Sequence, residues 1–457
     1  MNNHWLSIAP LGAMFVVATA LPINMGVLAF VGAFLVGTVV AGMNAKAILL
    51  GFPADLFLTL AGITYLFALA QNNGTIDWLV GLAVRAVRGR IAAIPWIMFM
   101  IAAALTAVGA VSPAAVAIIA PIALGFAARH NINPLMMGLM VIHGAQAGGF
   151  SPISIYGGIT NKVVAKAGLP LSELTTMLAS FGINFAVALG LFVCMGGLKL
   201  MRRQPAGFSN SLLDQIPDVT HAQSGAQVFG DAEAEALGEA RRTAQGDSTL
   251  IKGDGTPAAT GARFYQVITA LGLLALAVLT LVYKLDIGFV SISIGLLLSL
   301  LQPNLQKAAL GQVSWPEIML IVGVSTYVAV MEKMGTIAWV GDSVATFSSP
   351  LMAALLLCVV GAVISAFASS TAVLGSLIPL AVPFLQGDAG VGAIGFIAAM
   401  AVSSTIVDVS PFSTNGALVL ANAKNVDRDR FFRQLLVYGG AVTVIAPVVV
   451  WLLFVVL

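Results

Sequence analysis

The chain has 457 residues, of which 59% are hydrophobic and 9% are charged. Soluble domains carry about 25% charged residues, so this composition excludes an ordinary soluble domain and predicts an all-α polytopic membrane protein. The formal net charge of +2 is small, and we expect no nucleic-acid partner. The two cysteines and four histidines lack the spacing of a Cys/His metal centre.

Three apolar segments open the chain, at residues 5–20, 26–43 and 56–70, and each predicts a membrane span. The first ten residues hold no Lys or Arg, so we expect the first span to be retained rather than cleaved as a signal peptide. Residues 75–88 carry apolar residues on one helical face and two arginines on the other. This pattern predicts either a helix along the membrane surface or the charged end of the third span.

Two apolar arms follow, at residues 91–109 and 114–128, and Val111-Ser112-Pro113 separates them. Each arm alone is apolar enough to be a span, but the pair predicts a re-entrant hairpin that enters and leaves the membrane on one side. We refer to this pair as the first hairpin. The next apolar segment begins at residue 134, and residues 171–200 complete the half.

One phrase interrupts the apolar sequence twice, with an offset of 259 residues. The first break (151–158) reads Ser-Pro-Ile-Ser-Ile-Tyr-Gly-Gly, and the second break (410–417) reads Ser-Pro-Phe-Ser-Thr-Asn-Gly-Ala. Proline and glycine do not continue a helix cleanly, and open backbone is tolerated at bilayer depth only inside protein or beside a wet cavity. Two matched broken segments therefore predict the binding site of a transporter.

Other landmarks return at nearly the same offset. The phrases that begin at Gly62 and Gly74 return at Gly323 and Gly335, and the turn of the first hairpin returns at 369–371, in a second hairpin. These matches predict an internal duplication.

The duplication divides the chain into a first repeat (1–203) and a second repeat (263–457), which residues 204–262 connect. The connecting segment holds eight of the nineteen acidic residues, and with its Gly, Ser, Gln and Thr it predicts a flexible soluble linker. We interpret it as a tether rather than a regulatory element.

The number of crossings predicts how the repeats are related. With each hairpin counted as no crossing, each half crosses the membrane five times, so the two repeats must be inverted. Placing the amino terminus outside leaves most Lys and Arg on the cytoplasmic side. We therefore predict ten spans and two hairpins in a bacterial inner membrane, with a cytoplasmic linker and both termini periplasmic.

Helix starts inside the membrane predict an anion site. A helix start presents free N–H groups and about half a positive charge, so the starts at the two hairpin turns attract an anion without Lys or Arg. The candidate substrate-binding residues at the turns and breaks are Ser112, Pro113, Ser154, Ser370, Thr371, Thr414 and Asn415. The alternative is that Ser, Thr, Gly and Pro only let the helices pack closely.

Carbonyls and hydroxyls freed at the two breaks suit a hard cation such as sodium. The candidate ligands around the breaks are Ser151, Gly157, Asp408, Ser410 and Ser413. A carboxylate within a span is costly, so Asp408 predicts cation binding, proton transfer or capping of the next helix. His143 predicts substrate binding, a proton relay or hydrogen-bonded packing.

The hairpin turns resemble those of the divalent-anion:sodium symporters of the ion transporter superfamily, which carry Ser-Asn-Thr followed by an apolar arm that ends in proline. Here Ser369-Ser370-Thr371 is followed by Leu377-Ile378-Pro379, whereas the first turn departs from the pattern with Val111-Ser112-Pro113. This resemblance implies that Ser365, Ser369 and Ser370 are also sodium ligands.

Within that superfamily the chain is similar to the MatC-type dicarboxylate carriers, through its opening half and its Gly-Gly-Phe-Ser-Pro-Ile-Ser stretch. The resemblance implies a secondary active symporter, not an enzyme, that carries a small malonate-like dicarboxylate with sodium or protons. It also implies an elevator mechanism and a homodimer in membrane lipid. The residues leave open another organic anion, such as a gluconate-like hydroxy-monocarboxylate, as well as a passive channel and an intramembrane enzyme.

Overall fold

The computed structural model of the protein describes residues 4–21, 23–86, 91–201, 259–337, 339, 350–366, 370–386, 392–423 and 426–457. Within those ranges the chain forms helices and connecting loops, with no strand. The prediction of an all-α polytopic class is therefore confirmed. The predicted linker lies outside the described residues up to residue 258.

Eleven helices make up the described part of the first half. They are α1 (Trp5–Ala20), α2 (Met25–Leu35), α3 (Ala45–Leu49), α4 (Ala54–Asn72), α5 (Thr75–Ala86), α6 (Ile94–Val108), α7 (Ser112–Arg129), α8 (Pro134–Gly148), α9 (Ile155–Lys166), α10 (Glu173–Cys194) and α11 (Gly197–Met201). A π-helical turn (Val36–Val40) extends α2, and a 3₁₀ turn (Ile91–Ala93) precedes α6.

Nine helices make up the described part of the second half. They are α12 (Ala259–Leu281), α13 (Ile287–Leu301), α14 (Pro303–Gly311), α15 (Trp315–Lys333), α16 (Pro350–Ser365), α17 (Ser370–Gln386), α18 (Ala393–Ile406), α19 (Thr414–Asn422) and α20 (Arg428–Trp451). A π-helical turn (Leu452–Val456) extends α20.

Seven segments of the described chain are long and apolar enough to cross a membrane. They are Ala54–Asn72, Ile91–Val108, Ser112–Arg129, Glu173–Cys194, Arg263–Leu281, Trp315–Lys333 and Arg428–Val456. Five apolar helices are shorter. The chain is thus a multi-pass membrane protein, while the count of ten crossings and the re-entrant path of the hairpins stay predictions.

The helix that follows the third predicted span is separate from it. α4 ends at Asn72, and Gly74 adopts a φ of +74°, a left-handed conformation that glycine accepts readily. α5 begins directly afterwards at Thr75. Residues 75–86 therefore form a helix of their own rather than the charged end of the third span, and a position along the membrane surface stays a prediction.

The order of helices in the first half returns in the second half. The series α1 to α4 corresponds to α12 to α15, and the series α6 to α10 corresponds to α16 to α20. Corresponding helices also pack in the same pairs. In the first half α6 packs on α8, and in the second half α16 packs on α18. The inverted relation of the two halves stays a prediction.

Two matched glycine crossings join the halves. Helix α2 packs on α15, and α4 packs on α13. A Cβ atom added at Gly323 would lie 2.1 Å from the carbonyl oxygen of Gly26, and one added at Gly62 would lie 2.3 Å from Ser291 Oγ and 2.8 Å from the carbonyl oxygen of Gly288. Small residues that let helix backbones approach closely are typical of membrane interfaces.

A second set of contacts between the halves joins each hairpin to the break of the other half. Helix α7, the second arm of the first hairpin, packs on α19, which begins in the second break. Conversely, α17 packs on α9, which begins in the first break. Each hairpin arm therefore contacts the broken segment of the other half, and the candidate site lies where the two halves meet.

Candidate functional site

The turn of the first hairpin presents a buried hydroxyl. Helix α6 ends at Val108, and the next residue, Gly109, adopts a φ of +123° where the chain turns. Pro113 lies in the first turn of α7, where its missing N–H costs nothing. The Ser112 side chain is 2% exposed, and its Oγ accepts a hydrogen bond from Asn415 Nδ2 at 2.8 Å. The first hairpin of one half therefore touches the second break of the other half.

The second hairpin brings two of its predicted cation ligands together. Helix α16 ends at Ser365 and α17 begins at Ser370, and the hydroxyl oxygens of these two buried residues are 2.8 Å apart. Ser369 lies outside the described residues, and Thr371 is described only as part of α17. The cation that these hydroxyls were predicted to hold stays a prediction.

The first break is closed by its own backbone. Ser154 Oγ lies 2.5 Å from the Gly149 carbonyl oxygen and 2.6 Å from that of Ser151, and it accepts from Gly157 N–H at 3.1 Å. Ser154 thus caps α9 in the usual way of a helix N-cap. A Cβ atom at Gly157 would lie 2.0 Å from the Ser151 carbonyl oxygen, so the turn needs glycine there.

The second break repeats this turn and reaches further. Ser413 Oγ donates to the Ser410 carbonyl oxygen at 2.8 Å, and a Cβ atom at Gly416 would lie 1.9 Å from that same oxygen. Ser410 Oγ donates to the carbonyl oxygen of Ala366, just after α16, at 2.9 Å. Thr414 is half-buried at the start of α19. The second break is therefore tied to the second hairpin.

Asp408 organises the polar groups beside the second break. Its side chain is 5% exposed, and its carboxylate accepts from Asn415 N–H at 3.2 Å and from Asn415 Nδ2 at 2.9 Å. Since Asn415 Nδ2 also donates to Ser112, one amide joins the carboxylate to the first hairpin. Asp408 therefore helps to cap α19. In the described part of the chain, the ion pairs within 4 Å both involve Lys162, not Asp408.

His143 is held in a separate hydrogen-bonded group. Its Nδ1 lies 2.8 Å from Asn184 Oδ1 and its Nε2 lies 2.6 Å from the Tyr438 hydroxyl. Asn184 uses its Nδ2 to donate to the Ser180 carbonyl oxygen, so its oxygen faces the ring and His143 Nδ1 carries a proton. Tyr438 then donates to Nε2. These contacts fit the packing interpretation of His143, and its predicted role as a proton relay stays untested.

Gln146 is the site residue that sequence reasoning missed. It lies one helical turn after His143 on α8 and is 1% exposed. Its Nε2 donates to the backbone carbonyl of Asp408 at 3.5 Å, and its own backbone carbonyl accepts from Ser180 Oγ at 3.0 Å. A buried amide in an apolar segment, three residues before Gly149, was the available signal.

The atoms of the site that could coordinate a metal ion are oxygen atoms of carboxylate, amide, hydroxyl and backbone groups. Such a set suits a hard cation. Among the described residues, no group of three His, Cys, Asp or Glu side chains is placed to hold a metal ion.

Comparison with known proteins identifies both halves as parts of carriers. Residues 1–149 match the family model for the dicarboxylate carrier protein MatC N-terminus, and residues 266–457 match the family model for the citrate transporter. A search of curated proteins finds no significant match. Both matched families are transporters rather than enzymes. The second match contains the second hairpin, Asp408 and the second break.

Proposed function

Because the chain belongs to the MatC-type dicarboxylate carriers of the ion transporter superfamily, we propose that it is a symporter of a small malonate-like dicarboxylate. Transport of dicarboxylate- or citrate-type anions is the function of the matched families. The proposal adds the malonate-like substrate, coupling to a sodium or proton gradient, and location in a bacterial inner membrane.

The observation that carries the proposal is the hydrogen-bonded series from Asp408 through Asn415 to Ser112. It places a buried carboxylate beside two helix starts, those of α7 and α19. The helix starts attract an anion through their free N–H groups and partial positive charge. We propose that Ser112, Pro113, Asn415 and Thr414 contact one carboxylate of the substrate.

The carboxylate of Asp408 explains why the anion needs a cation. A negative charge in a low-dielectric site opposes the binding of a second negative charge nearby. A sodium ion or a proton on Asp408 removes that opposition, so the cation and the anion raise each other's affinity by the same factor. The Ser365–Ser370 pair is a second place for the cation in this proposal.

The match of the second half to the citrate transporter family favours one further substrate class, a hydroxy-tricarboxylate. A gluconate-like hydroxy-monocarboxylate is the other alternative. These anions differ in charge and size, so competition separates them.

The test is uptake of radiolabelled malonate into proteoliposomes under an imposed sodium gradient, an imposed proton gradient, or neither. We expect radiolabelled malonate to accumulate with one of the two gradients. Unlabelled malonate should inhibit this uptake more strongly than citrate or gluconate does. Uptake of citrate or gluconate in place of malonate would show that the substrate is that anion and not malonate. Conductance without saturable uptake would replace the symporter with a channel.

A further inference from the structure

A cavity opens at one end of the helix bundle, where three apolar segments end together. Helix α7 ends at Arg129, α10 ends at Cys194 and α20 begins at Arg428, and all three belong to segments that are long and apolar enough to cross a membrane. The cavity has a volume of about 620 Å³, and its lining includes residues 131–136, part of α11 and the first turns of α20. It therefore lies close to the membrane surface.

A second cavity continues from the first along one face of α20. It has a volume of about 730 Å³ and shares Arg430 and Gln434 with the first cavity. Its lining on α20 runs from Arg430 through Val437 to Ala441, at the spacing of three or four residues that marks one helical face. We call the two cavities together the α20 groove.

The length of α20 sets the depth of this groove. The apolar segment Arg428–Val456 has 29 residues and would span about 43 Å as a helix, whereas the hydrocarbon core of a bilayer is about 30 Å thick. Because Arg430 and Arg433 are charged, the excess length lies at their end, among the lipid head groups. The groove therefore extends from the head groups towards the hydrocarbon at Val437 and Ala441.

The surface end of the groove carries three cations. Lys199, Arg430 and Arg433 line the groove and are exposed. In the described part of the chain the ion pairs within 4 Å both involve Lys162, so none of these three side chains is paired there. Such cations suit a phosphate group, to which an arginine can donate two parallel hydrogen bonds.

Two carboxylates at the same end do not cancel these cations. Asp427 Oδ1 accepts from the Arg430 backbone N–H at 3.1 Å and caps α20. Asp429 lies in the first turn of α20, where a carboxylate stabilises the helix start. Three cations against two carboxylates leave one positive charge in excess, so the groove favours an anion.

A free phosphate would occupy only the charged end of the groove. Val437, which lines the other end, is 73% exposed, so that end faces lipid acyl chains. A phospholipid carries a phosphate and acyl chains in one molecule, and basic pockets between membrane helices bind anionic lipid head groups. We propose that the α20 groove binds an anionic phospholipid. Its phosphate contacts the three cations, and one acyl chain lies along Val437 and Ala441.

The groove adjoins the interior of the bundle through Tyr438. This residue lines the groove, and its hydroxyl lies 2.6 Å from Nε2 of the buried His143. The lipid therefore rests against the contact between α20 and α8, and binding to the folded state alone stabilises that state. The inference goes beyond the proposed function and does not depend on which anion is carried.

The test is binding of phosphatidylglycerol to the purified full-length protein in a neutral detergent, measured by native mass spectrometry. Phosphatidylcholine with the same acyl chains has no net charge and is the reference lipid. We expect phosphatidylglycerol to bind about tenfold more tightly, since each nearby Lys or Arg attracts an anionic head group. It should also raise the melting temperature more than the reference lipid does.

Arg430→Gln removes the charge that both cavities share. We expect it to weaken phosphatidylglycerol binding about tenfold, the effect of losing a charge-assisted hydrogen bond. Arg263→Gln is the matched control and should bind as the wild type does, because Arg263 is an exposed arginine at the start of another apolar segment and lines neither cavity. Arg433→Gln replaces Arg430→Gln if that variant is not monodisperse in size-exclusion chromatography.

Ala441→Trp distinguishes a lipid from a free phosphate. The indole fills the apolar end of the groove without changing its charge, so lipid binding should weaken about fivefold or more as methylene groups lose their burial. Val444→Trp is the control, because Val444 is 71% exposed on the same helix but does not line the groove. Inorganic phosphate should not displace the lipid.

Equal affinity for the two lipids would overturn the inference, as would unchanged phosphatidylglycerol binding in Arg430→Gln. Displacement of the lipid by inorganic phosphate, together with wild-type binding in Ala441→Trp, would show that the groove is a site for free phosphate and not for a lipid.

Discussion

The two breaks share one backbone turn but differ in the chemistry that surrounds it. In the first break, Ser154 and Gly157 close the turn on the carbonyl groups of residues 149 and 151. In the second break, Ser413 and Gly416 occupy the corresponding places. The position of Asp408, however, corresponds to Gly149, and that of Asn415 corresponds to Tyr156.

This difference separates scaffold from function. The serine and glycine that shape the turn are present in both halves, because the same open backbone must be closed in both places. The carboxylate and the amide occur only in the second half, where they reach the first hairpin through Ser112. The two halves thus share the same backbone turn, but the carboxylate and amide of the polar site come from the second half alone.

The largest expected effect is on the shared turn. Alanine at Gly157 or at Gly416 would bring a Cβ atom to about 2 Å from a backbone carbonyl oxygen. Either substitution should therefore lower stability by about 3 kcal/mol or more, as overpacking does at its upper end. Thermal melting of the purified protein measures the loss. A large effect at only one of the two glycines would contradict the common turn.

A smaller effect is expected at Asn415, where the two breaks differ. Asn415→Leu removes the hydrogen bonds from the amide to Asp408 and Ser112, while the backbone N–H of residue 415 still donates to the carboxylate. We expect the KM for the dicarboxylate to rise by about 30-fold or more, since truncating one partner of a buried charged hydrogen bond costs roughly 2 kcal/mol.

The control for Asn415 is its counterpart in the first break. Tyr156→Phe removes one hydroxyl at the corresponding position and should leave the KM within about twofold, as most changes away from a site do. Equal effects of the two substitutions would place the substrate symmetrically between the breaks.

A moderate effect is expected at Ser112. Ser112→Ala removes the hydroxyl that accepts from Asn415, and the net value of such a bond is about 1 kcal/mol. We expect the KM to rise about fivefold with little change in stability. Thr160→Val is a matched control, since Thr160 Oγ1 is a buried hydroxyl of the first half without a partner. An unchanged KM in Ser112→Ala would remove the first hairpin from the site.

The smallest effect on transport is expected from the His143 group. Tyr438→Phe removes the hydroxyl 2.6 Å from His143 Nε2 and should lower stability by about 1 kcal/mol, while the KM stays unchanged. Melting temperature and uptake kinetics together test this. Loss of proton-driven uptake with unchanged exchange of internal and external substrate would instead make His143 a proton relay.

The sequence allowed prediction of the features that depend on local spacing. Breaks at proline and glycine, the hairpin arms and the duplication all follow from residues near each other or at a fixed offset. The separate helix α5 could not be decided in this way, because Gly74 ends a helix only when it adopts a positive φ.

Contacts between distant helices were beyond such reasoning. The bond between Asn415 and Ser112 joins residues 303 positions apart, and the bond between His143 and Tyr438 joins residues 295 positions apart. Spacing shows that Gln146 lies one turn after His143, but not that its amide faces Asp408. Which side of a helix meets which neighbour is decided by packing of the whole bundle.

The most direct test of the coupling between cation and anion is the cation dependence of malonate binding to the purified wild-type protein and to Asp408→Asn. The asparagine is neutral, so it imitates a carboxylate that has already received its cation. We predict that wild-type affinity for malonate rises with sodium or with falling pH, whereas the variant binds malonate without that dependence. A variant that keeps the full wild-type dependence would show that Asp408 does not couple the cation to the anion.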